Sequence, residues 1–242
     1  GSADEFRLLT DAVGGKGYRQ IDINLGCPFP MIAGKHKGAG MLLYPAQVAE
    51  VLAPIAEYPE IQFSLKMRLG WENASECVVL VELLNALRLS RIALHARTGK
   101  QQYKGHPDLE AFQGFYELCQ HPLYYNGGIE SLSDIRQILI RFPLLKGVFI
   151  GRGLLSSPLL AKEFKGNETF LPEQRMSIYF AFHEELFSAY SQVLQGETQL
   201  LVKMKTLWEY FLPETDRKLL KRIKKSTRLQ QYTESVKAIF TS

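Results

Sequence analysis

The sequence predicts a parallel α/β fold of the (βα)8 TIM-barrel type, incomplete at its N-terminus with about five βα units present, followed by an all-α helical domain. Three observations lead there. Strand and helix patterns alternate five times between residues 20 and 165, with connections long enough for right-handed parallel crossovers. Each strand ends in polar or glycine residues, and the last two run into glycine-rich turns, where barrels commonly hold a phosphate. Beyond Leu171 the strand patterns stop and only helical patterns follow. An open doubly wound sheet has the same periodicity, so it is the strand-end residues that favour the barrel.

The first helix, Ala3 to Val13, places Phe6, Leu8, Leu9, Ala12 and Val13 at helical spacing and ends in Gly14-Gly15-Lys16-Gly17. Ile21, Ile23 and Leu25 then alternate with Asp22 and Asn24 in a strand that Gly26 and Pro28 terminate. Cys27 therefore sits at a strand's C-terminal edge, the edge at which parallel α/β proteins bind ligands. A Gly, Lys and His-rich loop from Phe29 to Gly40 leads to a helix over about Pro45 to Ala56. In the strand Gln62 to Arg68, Phe63, Leu65 and Met67 share one face and Ser64, Lys66 and Arg68 the other. A helix over Ser75 to Leu87 precedes the strand Arg91 to Ala96, after which His95 and Arg97 again share a parity. A helix over Asp108 to Cys119 leads to the strand Leu123 to Tyr125 and the turn Asn126-Gly127-Gly128. Ser131 caps a helix through Ile140, and the strand Val148 to Ile150 ends in Gly151-Arg152-Gly153. The tail reads as helices over Pro172 to Gln195, Thr198 to Phe211, Pro213 to Lys225 and Thr233 to Phe240, with a boundary between residues 165 and 166.

Composition narrows the class. With 46% hydrophobic and 22% charged residues in 242, the chain is globular, and its longest apolar run, near Cys77 to Leu84, is too short to cross a membrane. Asp4, Glu5, Arg7 and Asp11 make the start unlike a secretory signal, so the expected location is the cytoplasm. Three cysteines without CxxC spacing argue against a disulfide framework and against a metal site. The net charge of +4 is modest, but Lys203 to Arg228 holds nine Lys or Arg against three acidic residues, a pattern that suits a polyanion.

Each strand-end motif is weak alone; a barrel would gather Cys27, Lys66, His95, Asn126 and Arg152 at one mouth. Gly127-Gly128 and Gly151-Arg152-Gly153 offer backbone N–H groups and a fixed charge for a phosphate. Lys66 and His95 could stabilise negative charge on a ring such as a reduced flavin. With neither a metal cluster nor a Ser/His/Asp set, redox chemistry carried by a cofactor follows.

The chain resembles the tRNA-dihydrouridine synthases, flavoprotein oxidoreductases of tRNA processing. The resemblance rests on the segments Asp22 to Pro28, Gly38-Ala39 with Leu42-Leu43, Leu65 to Trp71, His95 to Thr98 with Tyr103 and Gly105, Asn126 to Gly128, and Ile150 to Arg152, in family order across residues 20 to 165. It implies FMN-dependent reduction of specific uridines to 5,6-dihydrouridine, with NADPH or NADH as reductant and no membrane, metal or obligate protein partner. By that resemblance Cys27 is the general acid that protonates uracil C5 while reduced flavin delivers hydride to C6, a role that needs a protonated thiol. Lys66, His95, Asn126, Gly127, Gly128, Gly151 and Arg152 would bind FMN. Asn24, Arg68, Arg97 and Tyr103 would orient the flipped uracil, and Lys221, Arg222, Lys224 and Lys225 would contact tRNA. Residues 1–165 would then be the FMN-binding part and 166–242 the tRNA-binding part. The family's opening strands are absent from this sequence. The loop after Cys27-Pro28 also carries its basic residues late, at Lys35, His36 and Lys37. Two rivals are another FMN barrel oxidoreductase, of the dihydroorotate dehydrogenase kind, and a non-catalytic RNA-binding fragment. The basic tail argues against the first, and Cys27 with its basic strand ends against the second.

Overall fold

A computed structural model describes residues 1–240, which form two compact units. The first comprises residues 1–129 and 133–149, and the second residues 130–132 together with the chain from Ile150 onward. The packing boundary thus falls ahead of residue 165, because two short helices after Phe149 belong with the tail.

In the first unit, β1 (Gln20–Leu25), β2 (Gln62–Gly70), β3 (Leu89–Thr98), β4 (Leu123–Asn126) and β5 (Gly147–Phe149) form one parallel sheet in the order β1-β2-β3-β4-β5. Sequential order means that no crossover reverses direction. A doubly wound sheet must reverse at its switch point, so the order is that of a barrel wall. The helices α1 (Ala3–Gly14), α3 (Pro45–Leu52), α4 (Glu76–Asn85), α5 (Leu109–Leu118) and α6 (Leu132–Arg141) alternate with the strands, and a short helix α2 (Pro30–Ala33) follows β1.

Strand parity sorts the side chains. Leu65, Met67, Leu94 and Tyr125 pack with the helices: Phe112 of α5 meets Tyr125 edge-on at 5.0 Å, and Phe6 of α1 meets Phe63 at 5.5 Å. Each such fully buried side chain contributes about 1.5–3 kcal/mol. The opposite parity carries the polar set. Register pairs Asn24 with Lys66 and Lys66 with Ala93, and one step along aligns Arg68, His95, Asn126 and Phe149 across four strands.

Several boundaries differ from the sequence pattern. Helix α3 ends at Leu52 and continues as a 3-10 turn, Ala53–Glu57, because Pro54 has no N–H to donate to the preceding turn. The stretch Phe29 to Gly40, expected as loop, contains α2 and the start of a buried 3-10 turn, Gly38–Leu43.

The second unit consists of α7 (Arg152–Ser156), α8 (Leu160–Gly166), α9 (Pro172–Val193), α10 (Glu197–Leu207), α11 (Arg217–Lys225) and α12 (Leu229–Phe240). The first two were not visible as separate elements in the pattern. Helix α11 starts later than Pro213 because Asp216 caps it, its carboxylate accepting from Lys218 N at 2.8 Å and Leu219 N at 3.2 Å. Trp208, Phe211, Met204, Tyr179, Ile223 and Val236 build the core. Inside it Trp208 Nε1 donates to the Tyr232 hydroxyl at 2.9 Å, leaving that hydroxyl's proton for His183 Nε2 at 2.7 Å. His183 Nδ1 then faces Glu184 at 3.1 Å.

Burial holds the His183 imidazole's pKa below the ordinary 6.5, with Glu184 opposing the shift only in part. A folded-state value below the unfolded one gives a stability contribution that is complete above about 6.5 and is lost as pH falls below it. The helical unit should therefore melt at lower temperature at pH 5.5 than at pH 7.5. His183→Gln should flatten that dependence in thermal unfolding followed by circular dichroism.

Candidate active site

Cys27 follows β1 in a turn held from both sides. The Asn24 side-chain oxygen accepts from Gly26 N at 2.9 Å, and the Cys27 carbonyl accepts from Ala39 N at 3.0 Å. The residue is half-buried. Cys77 is buried, which pushes its thiol up to about 12; Cys119 is half-buried like Cys27 and is raised as well, and the two sulfurs approach the Ala74 and His121 carbonyls. Of the three, only Cys27 stands at a strand's C-terminal end.

Arg68 is 2% exposed, and its Nε and Nη1 are spent on backbone carbonyls. Nε donates to Gly26 O at 3.0 Å, and Nη1 donates to Thr98 O at 2.9 Å and Gln102 O at 2.8 Å. One charge thus ties the Cys27 turn to the end of β3 and the loop beyond it. The Tyr103 ring lies 5.5 Å from this guanidinium and is itself 56% exposed. Burial lowers the Arg68 pKa while Tyr103 opposes the shift, and Arg stays charged regardless.

Deep on the same face, buried Arg97 donates from Nη1 to His95 Nε2 at 3.2 Å and from Nη2 to Gly105 O at 2.9 Å. A guanidinium only donates, so Nε2 of His95 is the accepting nitrogen. Lys66 is half-buried two residues before Arg68 on β2; burial, then the charge of Arg68, lowers its pKa, and Asp22 opposes them.

The Asn126-Gly127-Gly128 turn requires its glycines. Gly127 has φ +136°, and a Cβ there would come 3.2 Å from His95 Cδ2; Gly128 has φ +61°, and its Cβ would come 2.9 Å from Pro107. Asn126 Nδ2 donates to Phe149 O at 2.8 Å, which bridges β4 and β5 at the site's edge. Lys66 together with the buried charges of Arg68 and Arg97, beside a turn bare of side chains, makes a cationic face that fits an anionic ligand with an electron-rich ring.

Gly151 and Arg152 fall in the second unit, at the start of the short helix α7, and a Cβ at Gly151 would meet nothing within 4 Å. In that unit Lys218, Lys221, Arg222 and Lys225 project from one side of α11 at helical spacing and line a groove whose other wall is Gln231, Glu234 and Ser235 of α12. Lys224 is exposed but not among the lining residues. Two further basic residues are used locally: Lys205 donates to Ser226 O, and Lys203 sits 5.3 Å from the Tyr190 ring centroid.

The family model for dihydrouridine synthases matches residues 9–241. The chain belongs to the dihydrouridine synthase family. It is 36% identical over 149 residues to a probable tRNA-dihydrouridine synthase of Aquifex aeolicus, covering 60% of this chain and 46% of that protein. It is 32% identical over 139 residues to one of Rhizobium leguminosarum, covering 57% and 44%. The Vibrio vulnificus tRNA-dihydrouridine synthase B is 27% identical over 65% of this chain and 50% of its own length. The chain thus spans about half the length of the curated relatives it matches. Among solved structures, old yellow enzyme from Trypanosoma cruzi has a TM-score of 0.48 at 13% identity, covering 69% of this chain and 48% of that one. Morphinone reductase has a TM-score of 0.46 at 13% identity, covering 72% and 51%. Among the described residues no helix is long and apolar enough to cross a membrane, and no cluster of three or more His, Cys, Asp or Glu is arranged to hold a metal.

Arg68→Ala would leave the Gly26, Thr98 and Gln102 carbonyls without their donor, at about 1–3 kcal/mol for the buried Gly26 carbonyl and less for the other two, which water can reach. Thermal or urea unfolding should show a marked loss of stability, and Arg68→Lys, which cannot reproduce the fork, should recover little of it.

Proposed function

We propose that this chain supplies the proton-donating thiol and much of the flavin-holding surface of an enzyme that reduces specific uridines of tRNA to 5,6-dihydrouridine, with FMN as cofactor and NADPH or NADH as reductant. The observation that carries the reading is the position of Cys27, half-buried at the end of β1 in a turn anchored by Arg68, with Lys66 and His95 on the adjoining strands. Family membership supplies the reaction class.

When bound, FMN would supply the hydride, taken in turn from the nicotinamide. In this reading the Cys27 thiol donates its proton to uracil C5, and a proton from solvent restores it, so each turnover consumes one reduced nicotinamide and one proton. Lys66 and His95 would hold the charge of the flavin ring, and Asn126 its phosphate region. Gly127 and Gly128 are assigned to the phosphate end. Asn24, Arg97 and Tyr103 orient the uracil, which must leave the RNA stack to reach a strand-end site. Arg68 acts on the substrate through the Cys27 turn that it holds. Lys221, Arg222 and Lys225, with Lys224 beside them, contact the tRNA backbone. The odd, unbridged cysteines suit a cytoplasmic setting.

Cys27→Ala should keep flavin and nicotinamide-driven flavin reduction while lowering tRNA reduction by about 10² to 10⁴-fold, the usual contribution of a general acid. Wild-type turnover in that variant would remove Cys27 from the chemistry. Charge reversal at Lys221, Arg222 and Lys225 should raise the KM for tRNA and reduce the slope of log affinity against log salt by a little under one unit per lost phosphate contact. Flavin reduction by nicotinamide should not respond. An unchanged slope would favour the other flavin-enzyme reading, in which a small molecule is reduced.

A further inference from the structure

The Cys27 turn is seated on a part of the chain that no catalytic role reaches. Ala39 N bonds the Cys27 carbonyl, and the residue before it, Gly38, lies so close that a Cβ at this position would come 2.8 Å from Cys27 O, 2.9 Å from Cys27 Cβ and 3.3 Å from Cys27 Cα. Gly38 also has φ +56°, in the left-handed region. It opens a 3-10 turn in which Gly38, Ala39, Gly40, Met41 and Leu42 are all buried, so the seat cannot withdraw without disturbing the core. A Cβ at Gly40 would in turn collide with the Ala33 carbonyl oxygen. The segment between Cys27 and Gly38 carries exposed Phe29 and Met31 and is anchored through buried Ala33.

We propose that Gly38 is a positioning residue for Cys27: the missing side chain at 38 lets the buried 3-10 turn press directly against the cysteine backbone and Cβ, and this contact sets where the thiol points. This inference deepens the proposed reaction and rests on it only for the effect on turnover. A side chain at 38 has to push Cys27 outward or force the buried turn inward, and the buried turn has less room to move.

Two substitutions separate the close approach from the backbone conformation. Asn tolerates a left-handed φ far better than Ala does, but both bring a Cβ. If the approach to Cys27 is what matters, Gly38→Asn should be nearly as damaging as Gly38→Ala; if only the backbone conformation matters, Asn should restore wild-type behaviour, and the proposal fails. In full-length protein both variants should keep flavin and its reduction by nicotinamide. They should lower kcat for tRNA reduction by on the order of 10²-fold, the lower end of a general acid's contribution, with little change in KM. Alkylation of Cys27 by iodoacetamide, followed on its own peptide by mass spectrometry, should become faster as the thiol is displaced outward. Unchanged alkylation together with unchanged kcat would overturn the proposal.

A stability arm covers variants that fold poorly. Cys27→Gly removes one of the atoms that a Cβ at 38 would strike, so the loss of melting temperature caused by Gly38→Ala should be smaller in the Cys27→Gly background. Additive losses would mean that the two positions do not press on each other, and would overturn the proposal. The alkylation and stability arms involve no uridine. A protein that responds in both but reduces no tRNA would leave the Gly38 contact standing and remove the assigned reaction.

Discussion

A guanidinium taken out of water has to find hydrogen-bond acceptors, and in this chain the need is met by three carbonyls from three different segments. Arg68 sits near the C-terminal end of β2, and its side chain reaches the turn before Cys27, the end of β3 and the loop leading to Tyr103. Unpaired, the same charge would be a heavy penalty in buried surroundings; paired, it makes those segments move as one. The candidate site is therefore a bracket built around one cation on a rigid strand, and the thiol, the Tyr103 ring and the β3 end inherit their positions from it.

The sheet makes such a bracket possible. Parallel strands in sequential order put every C-terminal end on one side, and the pleat then sends alternate residues to alternate faces. Lys66 and Arg68 lie two apart on β2, His95 and Arg97 two apart on β3, and the register brings Arg68, His95 and Asn126 into one row. Gathering this many cations on one face is electrostatically costly. Contacts to the Gly26, Thr98, Gln102 and Gly105 carbonyls offset part of that cost, and an anionic ligand would offset more.

Much of this was legible in the sequence because it depends on local period. Alternation in β1 and β2 gave the faces, and the glycines after β4 marked a turn, although their positive φ values were not part of that reading. What local pattern could not reveal was partnership across long separations. Arg68 and Gly26 are 42 residues apart, so nothing in the segment Leu65 to Trp71 distinguished a side chain aimed at substrate from one spent on backbone. Asn24 was similarly ambiguous until its oxygen was seen to close the turn onto Gly26. Gly38 was visible only as part of a motif; its reason lies in Cys27, a contact that no spacing rule encodes. The helix ends followed local chemistry instead: Pro54 and Asp216 were readable signals whose effect was to shorten α3 and α11.

The turn after β4 also has a chemical lifetime. An asparagine followed by glycine is the pair whose side-chain amide is most readily lost through a cyclic imide, because glycine puts no side chain in the way of the attacking backbone nitrogen. Asn126 is followed by Gly127, and the geometry of the turn forbids a bulkier neighbour. Hydrolysis of that imide would leave aspartate or isoaspartate where an amide now donates to the Phe149 carbonyl, replacing attraction with repulsion at the junction of β4 and β5. Asn126-Gly127 is the chain's one Asn-Gly pair, so this turn is where such a loss would be felt.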